Sequence, residues 1–115
     1  MLNDVVDNDQ TLLPTTTHHW EVEIPSALPV RLQTLDLARH VAIAPDGKRY
    51  VVASFDDTRL ERGYVTAIYP QQNGYLTLIR LTLNEAQSPT PQQAVEQHIK
   101  TVEAIQQGKI QAYLK

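Results

Sequence analysis

Three apolar runs in the middle of the chain, rich in β-branched and aromatic residues, place the strongest constraint on the fold. They span residues 50–55, 64–69 and 75–83, and turn-forming residues separate them. This composition suits a half-buried pleated surface. The three runs are therefore predicted to be consecutive antiparallel strands at the centre of one sheet. In the last run both faces are apolar, which predicts a strand covered on both sides.

A strand is also predicted before these runs, over residues 18–24. Trp20, Val22 and Ile24 alternate there with polar residues, and Pro25 would end the strand. The alternation predicts that these three side chains face the core.

Residues 30–44 show a similar alternation that loses its phase around Arg39. This pattern predicts two short strands joined by a bulge or bend. A short helix over residues 32–38 is the alternative interpretation.

Two connections in this region have clear turn chemistry. Pro45, Asp46 and Gly47 predict a tight turn and hence a hairpin between residues 41–44 and 49–55. The charged segment 56–63 predicts a surface loop with one helical turn, ended by Gly63.

The clearest local signal is the start of a helix. Thr90 fits the N-cap position, Pro91 the first helical position, and Gln93 completes a capping-box pattern. An apolar stripe through Val95, Ile99 and Val102 follows, with Gly108 as the C-terminal cap. The pattern predicts an amphipathic helix of about four turns that packs on the sheet.

Strands precede the helix along the chain, which favours an α+β protein over alternating βαβ units. We expect an antiparallel sheet of about five strands with a C-terminal helix packed on one face. Residues 1–17 contain Asp4, Asp7 and Asp9 but no Lys or Arg, and we expect a flexible acidic N-terminal tail. Residues 18–115 are expected to form a single α+β domain.

Composition excludes several classes of function. The chain has no cysteine, which rules out disulfides, thiolate metal sites and a cysteine nucleophile. The formal net charge is -3, without the basic excess that phosphate contacts require, so a nucleic-acid partner is not expected. No apolar run is long enough to span a membrane, and no secretory signal is evident, so we expect a cytoplasmic protein.

Candidate catalytic and metal-binding residues are scattered. The histidine spacings match no zinc motif, although His19, His40 and a carboxylate could in principle meet in space. His98 is expected to be half-buried on the helix and the other histidines to lie at the surface. Carboxylates in predicted turns could serve as general acids or bases; these are Asp46, Asp56, Asp57 and Glu61. No cofactor and no metal is expected.

One segment resembles part of a known enzyme group. Residues 63–69, preceded by a hairpin with Lys48 and Arg49, resemble a strand of small ribonucleases of the barnase, EndoU and RelE kinds. In such enzymes a strand threonine, a histidine and basic residues surround the scissile phosphate. The resemblance implies His40, Arg49 and Thr66 as catalytic residues of an RNA hydrolase. The histidine-bearing helix that usually precedes the sheet in these enzymes has no counterpart here.

The leading functional hypothesis is a non-enzymatic module that binds another protein or a small ligand and self-associates. Tyrosine supplies five of the aromatic residues and tryptophan one, and both types are enriched at interfaces. Together with the doubly apolar last strand, this favours a homodimer. Arginines and acids alternate in the middle third, which is more typical of a solvated surface than of an anion site.

Overall fold

The computed structural model describes residues 18–71 and 84–112. Within them, five strands form one antiparallel sheet with the order β1-β2-β3-β4-β5, and one α-helix packs across it. The elements are β1 (Leu28–Pro29), β2 (Asp36–Ile43), β3 (Arg49–Asp56), β4 (Tyr64–Pro70), β5 (Asn84–Ser88) and α1 (Pro91–Gln106). Short 3-10 helices lie at Thr58–Leu60 and Ile110–Ala112. The predicted α+β arrangement is confirmed.

The turn between β2 and β3 forms as its sequence predicts. The amide of Ala44 donates to the carbonyl of Lys48 at 2.8 Å, and Gly47 takes a φ of +88°. The Asp46 carboxylate accepts a hydrogen bond from the Lys48 amide at 3.0 Å. This side chain thus stabilises the turn that sets the β2–β3 register.

The link between β3 and β4 depends on Gly63. Its φ is +69°, and a Cβ atom added there would lie 2.7 Å from the carbonyl oxygen of Ser88. The start of β4 therefore lies too close to the end of β5 for any side chain at this position. The predicted helical turn in the preceding loop is present as the 3-10 helix Thr58–Leu60.

α1 begins as its sequence predicts. Thr90 is the N-cap, and its hydroxyl oxygen accepts a hydrogen bond from the Gln93 amide at 3.1 Å. Pro91 occupies the first turn, and Gly108 adopts a φ of +79° just after the helix. The buried face of the helix consists of Ala94, Val95, His98, Thr101, Val102 and Ile105.

The sheet has two faces of different character. The helix face packs Ala42, Val52 and Ile68 against Val102 and Ile105 of α1. By alternation and pairing, the opposite face, here called the distal face, carries the next residue of each strand. It comprises Arg39, Val41, Ile43, Arg49, Val51, Ala53, Phe55, Val65, Ala67, Tyr69, Glu85 and Gln87. Its centre is buried at Val41, Ala53, Val65 and Ala67, and the surrounding Ile43, Val51, Phe55 and Tyr69 are half-buried.

The predicted first strand is not formed. Residues 18–24 have no regular secondary structure, and the hydrogen bond from the Trp20 amide to the Leu37 carbonyl, at 3.0 Å, joins them to β2. The Val22 carbonyl meets a buried side chain instead of a neighbouring strand. Ile24 faces the core as predicted and is buried. Trp20 was also predicted to face the core, but it is 37% exposed.

The region before β2 also differs from the prediction. Residues 30–35 contain no strand, and β2 begins at Asp36, with its irregularity between Asp36 and Ala38 rather than at Arg39. A turn closed by the Asp36 amide on the Gln33 carbonyl, at 3.0 Å, precedes the strand. The alternative helix over residues 32–38 is wrong, since most of that range belongs to the turn and to β2.

β5 was not predicted, because its sequence is polar and lacks the β-branched residues that mark the other strands. The predicted strand 75–83 and the predicted tail 1–17 lie outside the described residues.

Replacing Gly63 with alanine should lower the free energy of unfolding by about 3 kcal/mol, because a strained φ and a backbone contact act together. Urea titration of the purified variant measures this loss. Gly47→Ala is the matched control. Gly47 also has a positive φ, of +88°, but the space around the new methyl group is open. It should lose about 1 kcal/mol. Equal losses in the two variants would contradict the close approach of Ser88.

Candidate functional site: a buried histidine pair between the sheet and the helix

A chain of polar side chains crosses the core between the sheet and α1. β2 contributes His40, β3 contributes Ser54, β4 contributes Thr66 and α1 contributes His98, and all four are buried. Ser54 and Thr66 are directly opposed in the β3–β4 ladder. His98 lies on the inner face of α1 at 0% exposure, so it reaches the sheet where an apolar residue would be expected.

The distances form one continuous path, here called the buried relay. Thr66 Oγ1 lies 2.7 Å from Ser54 Oγ, and Ser54 Oγ lies 3.0 Å from His98 Nδ1. His98 Nε2 lies 2.9 Å from His40 Nδ1, and His40 Nε2 lies 3.1 Å from the Val22 carbonyl oxygen. The relay therefore joins three strands, the helix and the segment before β1 through side-chain hydrogen bonds.

The end of the relay fixes which nitrogen of each imidazole carries the hydrogen when both rings are neutral. The Val22 carbonyl can only accept, so His40 Nε2 carries a hydrogen and His40 Nδ1 is an acceptor. His98 Nε2 then donates to His40, and His98 Nδ1 accepts from the Ser54 hydroxyl. The Thr66 hydroxyl has two acceptors within reach, Ser54 Oγ at 2.7 Å and the Ala94 carbonyl at 3.3 Å. Each donor thus has an acceptor, which is what a buried polar group requires.

A proton added at His40 reverses the relay without breaking it. His40 Nδ1 would then donate to His98 Nε2, and His98 would donate from Nδ1 to Ser54 Oγ. The carbonyl of Ala94 lies 3.3 Å from Thr66 Oγ1 and takes the last hydrogen. A second proton has no place, because two N–H groups would then face each other across 2.9 Å. The two histidines therefore titrate as a pair rather than separately.

Burial opposes even the first protonation. Desolvation, with a smaller contribution from the neighbouring His40, lowers the pKa of His98 to about 3. Burial likewise lowers the pKa of His40, against a smaller opposing effect of its hydrogen bond to the Val22 carbonyl. Among the described residues, no carboxylate bonds to either ring to offset this penalty. Both imidazoles are consequently neutral at pH 7.

The order Ser54, His98, His40 is that of a nucleophile, a base and an orienting group. The Ser54 hydroxyl, however, is fully buried beneath α1, and the carbonyl of Ala94 lies 3.5 Å from it. A substrate would have to displace the helix to reach this oxygen. In the observed structure the relay stabilises the packing of α1 on the sheet.

Of the residues suggested by the ribonuclease resemblance, the structure brings His40 and Thr66 into the relay. Arg49 is exposed at the start of β3 and belongs by alternation to the distal side of the sheet. The three residues therefore do not meet in one cleft. His40 was expected at the surface and His98 was expected to be half-buried. Both are buried.

Ser54 and the His40–His98 contact were missed. Ser54 lies 44 residues from its partner His98 in the sequence, and His40 lies 58 residues from it. No local sequence pattern reveals contacts over such separations. The available signal was the position of His98 within the apolar stripe of a well-capped helix.

Three of the acidic candidates, Asp46, Asp56 and Asp57, have structural partners. Asp46 and Asp56 cap turns through the amides of Lys48 and Thr58. Asp57 pairs with Arg62 at 2.6 Å. Across residues 18–71 and 84–112, no three histidine or acidic side chains gather as a metal site would require.

Two surface depressions lie near the sheet. One of about 450 Å³ is lined by residues 22–25, by Ala27 and Pro29 and by His40, so it meets the outer end of the relay. The other, of about 420 Å³, lies on the distal face and includes Arg39, Phe55 and Tyr69 in its lining. Both volumes fall in the range of small-molecule sites.

Comparison with protein-family models, with curated proteins and with solved structures finds no match. Within the described part of the chain, no helix has the length and apolar character needed to cross a bilayer.

Lowering the pH from about 7.5 to about 5 should reduce the free energy of unfolding by about 2 kcal/mol through His98 alone. The unfolded chain binds a proton at this imidazole near its ordinary pKa, whereas the folded protein does so only near pH 3. Stability is therefore complete above the unfolded pKa and decreases as the pH falls towards the folded one. His40 adds to the loss in the same direction.

Urea titrations at a series of pH values measure this dependence. His98→Gln should flatten the profile, whereas His19→Gln, at an exposed position outside the relay, should retain the profile of the unaltered protein. A slope that survives in His98→Gln would show that the pH dependence arises elsewhere.

Proposed function

We propose that this protein is a non-enzymatic binding module that recognises its ligand on the distal face of the sheet. The observation that carries the proposal is the contrast between the two sides of the sheet. On the helix side, the groups with catalytic potential are buried and bonded to one another. On the distal side, a depression presents Arg39 beside the aromatic rings of Phe55 and Tyr69.

The distal depression combines the features of a binding site. Its lining includes two aromatic side chains and Leu35, which supply apolar contact area. Thr34 and Gln33 add hydrogen-bonding groups at one side. Five of its eight described lining residues are polar or charged, so the depression sets fixed polar groups beside its apolar contact area, as ligand pockets do.

We also propose that the module acts as a homodimer. Two large apolar side chains are exposed beside the outer edge of β2, Trp20 at 37% and Leu28 of β1 at 45%. β1 pairs with only two residues of that edge, and the amides of Trp20 and Val30 bond to the Leu37 and Arg39 carbonyls beyond it. A twofold contact along this edge would bury both side chains while the distal depression stays open. The lack of cysteine supports a reducing compartment such as the cytoplasm.

The double variant Trp20→Ser, Leu28→Ser should weaken dimerisation at least tenfold, because both apolar contacts are lost at once. Sedimentation velocity over a concentration series measures the dissociation constant. The matched control is Leu60→Ser, which removes an apolar side chain at 67% exposure from a different part of the surface. It should dimerise like the unaltered protein. A monomeric unaltered protein would refute self-association, and an unchanged double variant would refute this interface.

The alternative function, an RNA hydrolase using His40, Arg49 and Thr66, makes an opposite prediction. Under the binding proposal, a fluorogenic RNA incubated with the purified protein should show no cleavage above the buffer rate, because Thr66 is buried beneath α1 and Arg49 lies on the other side of the sheet. Cleavage that disappears in His40→Ala and persists in His19→Ala would overturn the binding proposal in favour of the hydrolase.

A further inference from the structure

We propose that the distal depression binds a small monocarboxylate with an apolar or aromatic body, held by the terminal nitrogens of Arg39. This inference rests on the proposed binding function and names the chemical class of the ligand. It is carried by the way Arg39 is positioned, by its remaining donors and by the charges that surround it.

Arg39 is held rigidly from one side. Its Nε donates to Asp36 Oδ2 at 2.8 Å, and the same oxygen accepts the Gln33 amide at 2.8 Å. The Asp36 side chain is 3% exposed and that of Arg39 is 13% exposed. Since the Nε contact fixes the plane of the guanidinium, little side-chain entropy remains to be lost on binding.

The terminal nitrogens of Arg39 still have hydrogens to donate. Within residues 18–71 and 84–112, neither Nη atom has a hydrogen-bond or ion-pair partner, and the side chain lines the depression. A mostly buried donor without an acceptor raises the free energy of the empty site. A planar carboxylate accepts two parallel N–H groups from such a fork.

Nearby charges select the ligand further. The lining also contains Asp36 and Asp57, and Asp57 is paired with Arg62 at 2.6 Å. Arg62 also bonds to Glu85 of the distal face at 3.1 Å, so the three carboxylates in this region share two arginines and the surroundings have no net positive charge. A doubly charged phosphate would be repelled by two carboxylates, whereas a single carboxylate adds only one charge to the Asp36–Arg39 pair.

Aromatic rings select the body of the ligand. Phe55 and Tyr69 lie on the distal face of β3 and β4, on opposite sides of the row that contains Arg39 and Ala53. Ala53 between them is fully buried, so a ring or short alkyl chain would contact the rings of Phe55 and Tyr69 in the depression while its carboxylate meets Arg39.

The experiment uses the full chain labelled with ¹⁵N and titrated with benzoate, phenylacetate, benzyl alcohol and phenyl phosphate. We expect the two carboxylates to shift the amide signals of Arg39, Ala53 and Ala67 and to bind at least tenfold more tightly than the other two probes. Arg39→Lys retains the charge but loses the fork, and it should weaken benzoate binding at least tenfold. Arg49→Lys, at an exposed position on the same side of the sheet, should leave the affinity unchanged.

The outcomes separate this inference from the function on which it rests. If benzyl alcohol binds at these amides as well as benzoate does, the distal face is a binding site but the carboxylate class is wrong. If no probe shifts these amides, both the ligand class and the proposed use of the distal face fail. Because the comparison of benzoate with benzyl alcohol needs only the unaltered protein, a folding defect in Arg39→Lys would not prevent the test.

Discussion

The hydrogen-bonded path from Thr66 through Ser54 and His98 to His40 is the interaction on which the architecture depends. Apolar contacts hold α1 against the sheet in a non-directional way, since burial depends on area rather than on angle. The relay adds direction, because each of its atoms must meet a particular partner at hydrogen-bond distance. Shifting the helix by one residue would leave several buried donors without acceptors. The relay therefore fixes the register of α1 on β2, β3 and β4.

The same path accounts for the irregular course of the chain before β1. His40 needs an acceptor at Nε2, and the Val22 carbonyl provides it. That carbonyl meets a side chain rather than a neighbouring strand, and residues 18–24 run beside the edge of β2 without forming a strand. Ile24 still enters the core, so apolar burial is retained although strand pairing is lost.

A division of roles follows from these features. The helix side of the sheet contains the reactive side chains but protects them from solvent, and neutral imidazoles there favour stability near neutral pH. The distal side has a buried apolar centre, half-buried aromatic residues and an arginine oriented by a buried acid. The polar groups on the helix side are thus enclosed, whereas Arg39, Phe55 and Tyr69 line a depression on the opposite face.

Local sequence determined those secondary-structure elements that depend on interactions between residues close together in the chain. Turn residues placed the β2–β3 hairpin, the capping box placed the start of α1 at Pro91, and β-branched runs placed β3 and β4. These signals succeed because each depends on neighbours within a few residues. They also sufficed to predict the α+β class, since the order of the elements leaves few ways to cover an antiparallel sheet.

Only the tertiary structure decided which polar side chains meet. Sequence reasoning placed His40 and His98 at or near the surface because histidine is usually exposed there, yet the crossing of α1 over the sheet seals both. It grouped Arg49 with His40 and Thr66, whereas strand alternation turns Arg49 to the other side. Contacts across 44 or 58 residues depend on sheet pairing and helix placement together, and no periodicity within a single segment contains that information.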